Sequence, residues 1–318
     1  MARLREWVSG VLLLLPIVGV PCDAIGEGGK RVTVTSETAI IVWDAKAHIE
    51  RFTRLANFET DAKDLGFLVP TPSQPTLAKA NQEAFGDLKK IVENHIDAPH
   101  AGANAMAAAD TKPDSPVLSV TDVGGYEATV LSLANPSAVD GWLKSHGFPK
   151  TGATSKWLAP YEQKHWVLTA FRVIANGGAA DLNPVQMTFH ADVPFYPYRE
   201  PPAESDARLG RSLRVFFLAD APVEAQMAGS QWVAKREVSV KMSEDEIATL
   251  QFSMPGVALD RSPWLTSFID TSSPRIGTDD VYFTRQATIP TTLIIVLIVI
   301  GNVIYFGLRA RGRGLRKT

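Results

Sequence analysis

The best polar pair in this sequence is His190 and Asp192. On a strand whose side chains alternate, an i, i+2 spacing puts both on one face, opposite Phe189 and Ala191. An imidazole beside a carboxylate can be oriented for proton transfer or can ligate a metal. One histidine and one carboxylate are too few ligands, and spacing identifies no third. A solvated strand face is the simpler reading.

Residues 194–202 have the most unusual local composition. Pro194, Pro197, Pro201 and Pro202 stiffen the chain, while Phe195, Tyr196 and Tyr198 supply amphipathic ring surface beside Arg199. Exposed, this segment would make a recognition edge. Packed, its rings would close one end of the core, which is the preferred reading. His190, Asp192, Tyr196, Tyr198 and Arg199 are therefore the binding candidates the sequence offers. Asp270, Asp279 and Asp280 could lend oxygens to calcium, but their spacing fits no EF-hand loop, and an acidic surface loop is expected instead.

The other histidines offer less. His95 falls at a helix end and His100 in a connection, both expected to be solvent-exposed; His146 precedes Gly147 in a last helical turn, where it suits the helix dipole. His48 and His165 flank apolar strands without an evident partner. GxSxG, SxxK, HExxH, Walker A and GxGxxG patterns are all absent, and Gly124-Gly125 reads as a turn. Cys22 is the single cysteine. It excludes an intramolecular disulfide, and it excludes thiolate zinc sites and cysteine nucleophiles from the chain beyond it. No catalytic residue, metal or cofactor is assigned.

The elements that would position these residues follow from periodicity. Residues 39–43 are a short apolar run, expected of a buried strand, and 48–58 should pair with it as an outer strand. Residues 66–69 run into Pro70, Pro72 and Pro75, which forbid a continuing central strand. Phe85, Leu88, Val92 and Ile96 share one helical face over about five turns. Residues 98–116, rich in Ala, Pro, Asp and Gly, read as a flexible connection or insertion. Residues 117–123 and 126–133 form a hairpin about Gly124-Gly125. Asn135-Pro136 then opens a helix with Val139, Trp142 and Leu143 as its stripe.

Strict alternation about Val185–Met187–Phe189, Leu213–Val215–Phe217 and Val238–Val240–Met242 predicts strands with one buried and one wet face. Ser243 and Glu246 make a capping box for a short helix ending near Gln251. Residues 280–285 form a last strand. Helices interrupt strands without a βαβ rhythm, so the fold class is α+β, with mixed, mostly antiparallel sheets.

Both ends carry targeting signals. Residues 1–24 read as a signal peptide: Arg3 and Arg5 precede an apolar stretch, and Cys22-Asp23-Ala24 offers small residues for cleavage. Residues 286–308 contain no charge, and 289–308 would rise about 30 Å as a helix, the thickness of a bilayer core. Arg309, Arg311, Arg313, Arg316 and Lys317 follow, whereas Asp279 and Asp280 precede. The positive-inside rule then makes 309–318 a basic cytoplasmic tail and 25–288 an extracytoplasmic domain, held close to the cytoplasmic membrane by one transmembrane helix. That domain has 25 cations against 32 acids, a net charge of about −7. An acidic surface argues against nucleic acid and anionic polysaccharide as partners.

Several stretches together resemble a bacterial family catalogued as domain of unknown function number 2330. They are Thr-Ala-Ile-Ile-Val-Trp-Asp at 38–44, Phe-Glu-Thr-Asp-Ala-Lys-Asp-Leu-Gly-Phe-Leu-Val-Pro-Thr-Pro at 58–72, and Val-Gly-Gly-Tyr-Glu-Ala at 123–128. Pro-Phe-Tyr-Pro-Tyr-Arg-Glu-Pro at 194–201 and Ser-Pro-Arg at 273–275 belong to the same pattern. The resemblance implies an exported, often membrane-tethered protein; it brings no activity, substrate or catalytic residue. Members often carry paired cysteines near the mature N-terminus, whereas this chain has Cys22 alone.

The expectation is a membrane-tethered module of the cell envelope that binds a protein or another envelope component. The alternatives are an envelope hydrolase or metal-assisted enzyme, and an accessory subunit of a membrane complex.

Overall fold

Strand-forming runs dominate the chain between Ala24 and Thr284 in a computed structural model, and they stack as sheets with helices on both outer sides. The structure describes residues 24–30, 32–97, 120–174, 183–201, 212–228, 230–272 and 277–287. The predicted connection at 98–116, the span at 289–308 and the basic tail lie outside the described residues, as does the signal segment up to residue 23. Among the described residues no helix is long and apolar enough to cross a membrane.

In chain order the first strands are β1 (Ala24–Gly26), β2 (Val32–Asp44), β3 (Ile49–Thr60), β4 (Asp64–Thr71) and β5 (Thr76–Lys79), followed by α1 (Glu83–Asp97). Next come β6 (Val120–Val123), β7 (Tyr126–Ser132), α2 (Pro136–Ser145), α3 (Gly152–Gln163), β8 (Val167–Ile174), β9 (Val185–His190) and β10 (Phe195–Tyr196). The last are β11 (Ser212–Ala219), β12 (Val223–Met227), β13 (Ser230–Gln231), β14 (Lys235–Lys241), α4 (Glu244–Ser253), β15 (Trp264–Asp270) and β16 (Val281–Arg285).

The largest sheet has the order β14-β15-β11-β2-β3-β9-β5, a second β1-β4-β8-β7-β6, and a third β10-β16-β12-β13. Within the largest sheet only β2 and β11 run parallel; its other pairs are antiparallel. The α+β class with mostly antiparallel sheets therefore stands.

The unbroken apolar run in β2 has a simple cause. Ala39 and Ile41 point into the cluster shared with the smaller sheets, while Ile40 and Val42 point to α1 and α4. A strand covered on both faces needs apolar residues at both parities. The same holds for β11, where Phe216 and Leu218 are as buried as Val215 and Phe217. The wet face expected of that strand is thus absent: helices cover it. On the far side α2 and α3 pack Trp142, Leu143, Trp157 and Leu158 on the back of the second sheet. Gly66 in β4 permits that approach, since a Cβ there would lie 2.9 Å from the Phe148 ring.

Other elements match or correct the sequence reading. The Gly124-Gly125 hairpin has positive φ at both glycines (64° and 91°), as a two-residue primed turn requires. The capping box forms: Ser243 accepts from the Glu246 amide, and Glu246 accepts from the Ser243 amide at 2.7 Å. The strand expected at the outside of its sheet is interior, because β3 has β2 on one side and β9 on the other. Pro70 does sit within β4, opposite Leu168 of β8, and among the described residues β1 pairs only with Leu65, Gly66 and Phe67. Ile96 is exposed rather than on the apolar stripe of α1, which Phe85, Leu88, Ile91 and Val92 make up. Helix α3 was not anticipated; Thr151 caps it by accepting from the Thr154 amide at 3.0 Å.

Candidate functional site

The inner face of the largest sheet carries ionisable groups where hydrophobic residues are the rule. Glu37 of β2, Glu50 and Arg54 of β3 and Asp270 of β15 are all buried, as is Asp280 just before β16. Each of the four on the largest sheet is in phase with an apolar neighbour two residues away, so the pleat itself turns it inward.

Segment 195–200 meets these groups in succession. Glu50 accepts from the Phe195 amide at 2.9 Å, Glu37 from the Tyr196 hydroxyl at 2.5 Å, and Asp270 from the Tyr198 hydroxyl at 2.5 Å. Asp280 accepts from Tyr161 of α3 at 2.7 Å and from the Arg199 amide at 3.3 Å. The Arg199 guanidinium donates to Asp279 at 2.7 Å and to the Thr278 carbonyl at 2.6 Å. Burial pushes the Asp280 carboxyl up to about 6, opposed by the Tyr161 hydrogen bond and the Arg199 charge. Burial likewise raises the Glu50 carboxyl well above its ordinary range, against the pull of the Phe195 amide.

Of the five predicted candidates, Tyr196 and Tyr198 are fully buried and Arg199 is tied to the segment before β16. They come together as the packed closure of the core, not as an exposed edge. His190 and Asp192 stand apart from them, exposed on the sheet margin, where Ser73 bridges only the His190 backbone. Among the described residues no group of three His, Cys, Asp or Glu could hold a metal. Asp270 and Asp280 are interior carboxylates rather than members of an acidic surface loop. His95 also has a partner after all: its ring meets Glu246 of α4 at 2.8 Å and ties α1 to α4. His48 and His165 occupy tight turns at φ 53°.

A second arrangement was not foreseen. Between the largest and second sheets lies a small slot of about 20 Å³. Phe58, Phe67, Phe171 and Met187 form apolar walls, and Arg54 and Tyr126 line it as the polar groups. Phe67 stacks on Phe171 with centroids 4.6 Å apart and meets Tyr126 edge-on at 5.4 Å. The Arg54 guanidinium lies 5.3 Å from the centroid of the Phe67 ring, while its Nε donates to Glu37 at 2.7 Å. Such a cation over a ring is electrostatically favoured. Tyr126 is 6% exposed. Burial pushes this phenol up to about 12, and the Arg54 charge opposes the rise. The signal in the sequence was Arg54 itself, in phase with Phe52, Ala56 and Phe58 on β3.

The chain belongs to a family described as "Uncharacterized protein conserved in bacteria (DUF2330)", which matches residues 17–254. Among curated proteins no sequence matches it. Among solved structures it is similar to baculovirus P35, at 8% identity over 80% of this chain and 98% of that one, with a TM-score of 0.44. The caspase-8/P35 complex gives 8% identity over 79% and 90%, with a TM-score of 0.40.

Proposed function

We propose that this protein is a membrane-tethered binding module of the bacterial cell envelope. Its folded body lies outside the cytoplasmic membrane, a single helix at 289–308 anchors it, and the basic tail 309–318 remains in the cytoplasm. The body binds an envelope component, either a protein or a smaller molecule. One observation carries the tether: residues 286–308 hold no charge, and five cations with no acid follow them. Moving those cations across the bilayer would be the costly orientation. The acidic body, at about −7, fits a surface kept off anionic lipid heads except where it is held.

A reporter fused after Thr318 tests the orientation. Activity of a cytoplasm-dependent reporter, with the protein retained on membranes through an alkaline wash, is the expected result. A reporter active only outside the cell, or release by alkali, would overturn the tether. In-cell crosslinking of the tagged chain then identifies what the body captures.

A further inference from the structure

The first strand of the second sheet bears on where the exported chain is cut. We propose that the export cut falls no later than the Cys22–Asp23 bond, so that the mature body keeps Ala24–Gly26 as β1. Export itself is taken from the reading above. By residue type alone the cut would fall after Ala24, with Cys22 and Ala24 as the small residues before it.

Pairing, burial and close packing carry the assignment. β1 runs antiparallel to β4, with Ala24 opposite Phe67, Ile25 opposite Gly66 and Gly26 opposite Leu65. Ala24 is 9% exposed and belongs to the cluster that holds Leu65, Phe67 and Phe171. The stretch that follows is held closely. A Cβ on Gly26 would lie 2.3 Å from the Lys30 carbonyl oxygen, and the Gly28 amide donates to the Gly147 carbonyl at 3.1 Å. A cut after Ala24 would remove a buried residue and put an ammonium on Ile25, in the middle of the pairing. A cut after Asp23 would put that ammonium on buried Ala24 itself. A charge at either place must be desolvated or must pull the strand away, and both cost free energy. Among the described residues β1 is what pairs with the side of β4 away from β8. Its loss would bare Leu65–Phe67 as an open edge beside the Phe67–Phe171 stack. A cut after Cys22 leaves the ammonium on Asp23, clear of the strand. It still offers the peptidase a small residue directly before the cut.

The test reads the amino terminus of the full-length protein purified from membranes, by sequencing and by intact mass. A processed chain that begins at or before Asp23 is expected, heavier than the product of a cut after Ala24 by at least Asp23 and Ala24. A chain that begins at Ala24 or later, or one that is unprocessed, would overturn the proposal. Ala24→Val separates the two bonds, because a β-branched residue suits the strand but is not small enough to precede a cut. It should be processed as completely as the wild type, whereas accumulated precursor would place the cut after residue 24 and overturn the proposal. In the purified protein the peptide spanning 24–30 should exchange its amide hydrogens more slowly than an unstructured chain; exchange at the unstructured rate would remove the reason for sparing it. Protease added to spheroplasts tells the two failures apart. An external chain that begins at Ile25 sinks the cut and leaves export standing; an unprocessed chain that the protease cannot reach sinks export with it.

Discussion

The two faces of the largest sheet solve the same packing problem in different ways. On its helix side, Ile40, Val42, Phe216, Leu218 and Leu265 meet Leu88 and Leu250 in a layer made almost entirely of hydrocarbon. On its sheet side, the same strands present Glu37, Glu50, Arg54 and Asp270, and each is met by a specific partner. The first layer needs only volume and shape. The second needs particular atoms at particular distances, because a buried polar group without its partner costs far more than a lost contact. The apolar layer therefore tolerates repacking, while the polar layer specifies where one peptide, residues 195–200, must lie.

The sharpest break in that contrast is Glu37→Ala. It strands the buried Arg54 guanidinium and deprives Tyr196 of its acceptor, and removing one member of a buried pair costs about 3–5 kcal/mol. Urea unfolding should show it as the most damaging of these substitutions. Leu88→Ala on the helix side removes only hydrocarbon from a fully buried site, for about 3 kcal/mol in the same assay. If the two losses were reversed, the distinction between the faces would fail.

Acidity probes the polar side alone. Asp280 has its folded pKa at about 6 against 3.8 unfolded, so its folded form holds the proton more tightly. Its contribution is fully present below about pH 4, falls as pH rises through 6, and is flat above. Asp280→Asn, which keeps an acceptor for Tyr161, should thus gain about 2–3 kcal/mol relative to the wild type between pH 4 and 7. An unchanged difference across that range would mean that the carboxyl is ionised throughout. Tyr198→Phe should cost about 1–2 kcal/mol, because Asp270 keeps its bonds from the Ser272 amide and hydroxyl. Smallest is Glu50→Gln, expected within about 1 kcal/mol at pH 7, since a carboxamide of the same shape still accepts from the Phe195 amide and carries none of the charge that burial disfavours.

The locally determined features were the legible ones. The stripe through Phe85, Leu88 and Val92, the Ser243 capping box and the Gly124-Gly125 turn all rest on local rules, and they form as the sequence indicates. What local rules could not supply was which strand lies between which others. Residues 48–58 alternate like an outer strand because Arg51, Arg54 and Glu50 break up the apolar pattern; in the fold two of those charges face inward and find partners far along the chain. Helix α3 escaped notice because Pro160 interrupts it and its first turn is Gly-Ala-Thr. The candidates at 194–201 were correctly singled out as unusual, but their acceptors at positions 37, 50, 270 and 280 are invisible to spacing. The slot was hidden for the same reason: Arg54 and Tyr126 meet only when two sheets close.

The lone parallel pairing in the large sheet has a consequence for how the chain is made. Ser36 lies opposite Ser212 and Val42 opposite Leu218, so one long side of β2 stays unmatched until roughly half of the polypeptide has followed it. Its partner on the other side, β3, is available at once through a short turn. A hairpin rich in β-branched residues thus waits with one bare rim during synthesis, which slows closure and invites the wrong neighbour. Freshly emerged N-terminal halves should bind holding chaperones tightly, and lose that affinity only once residues 212–219 are present.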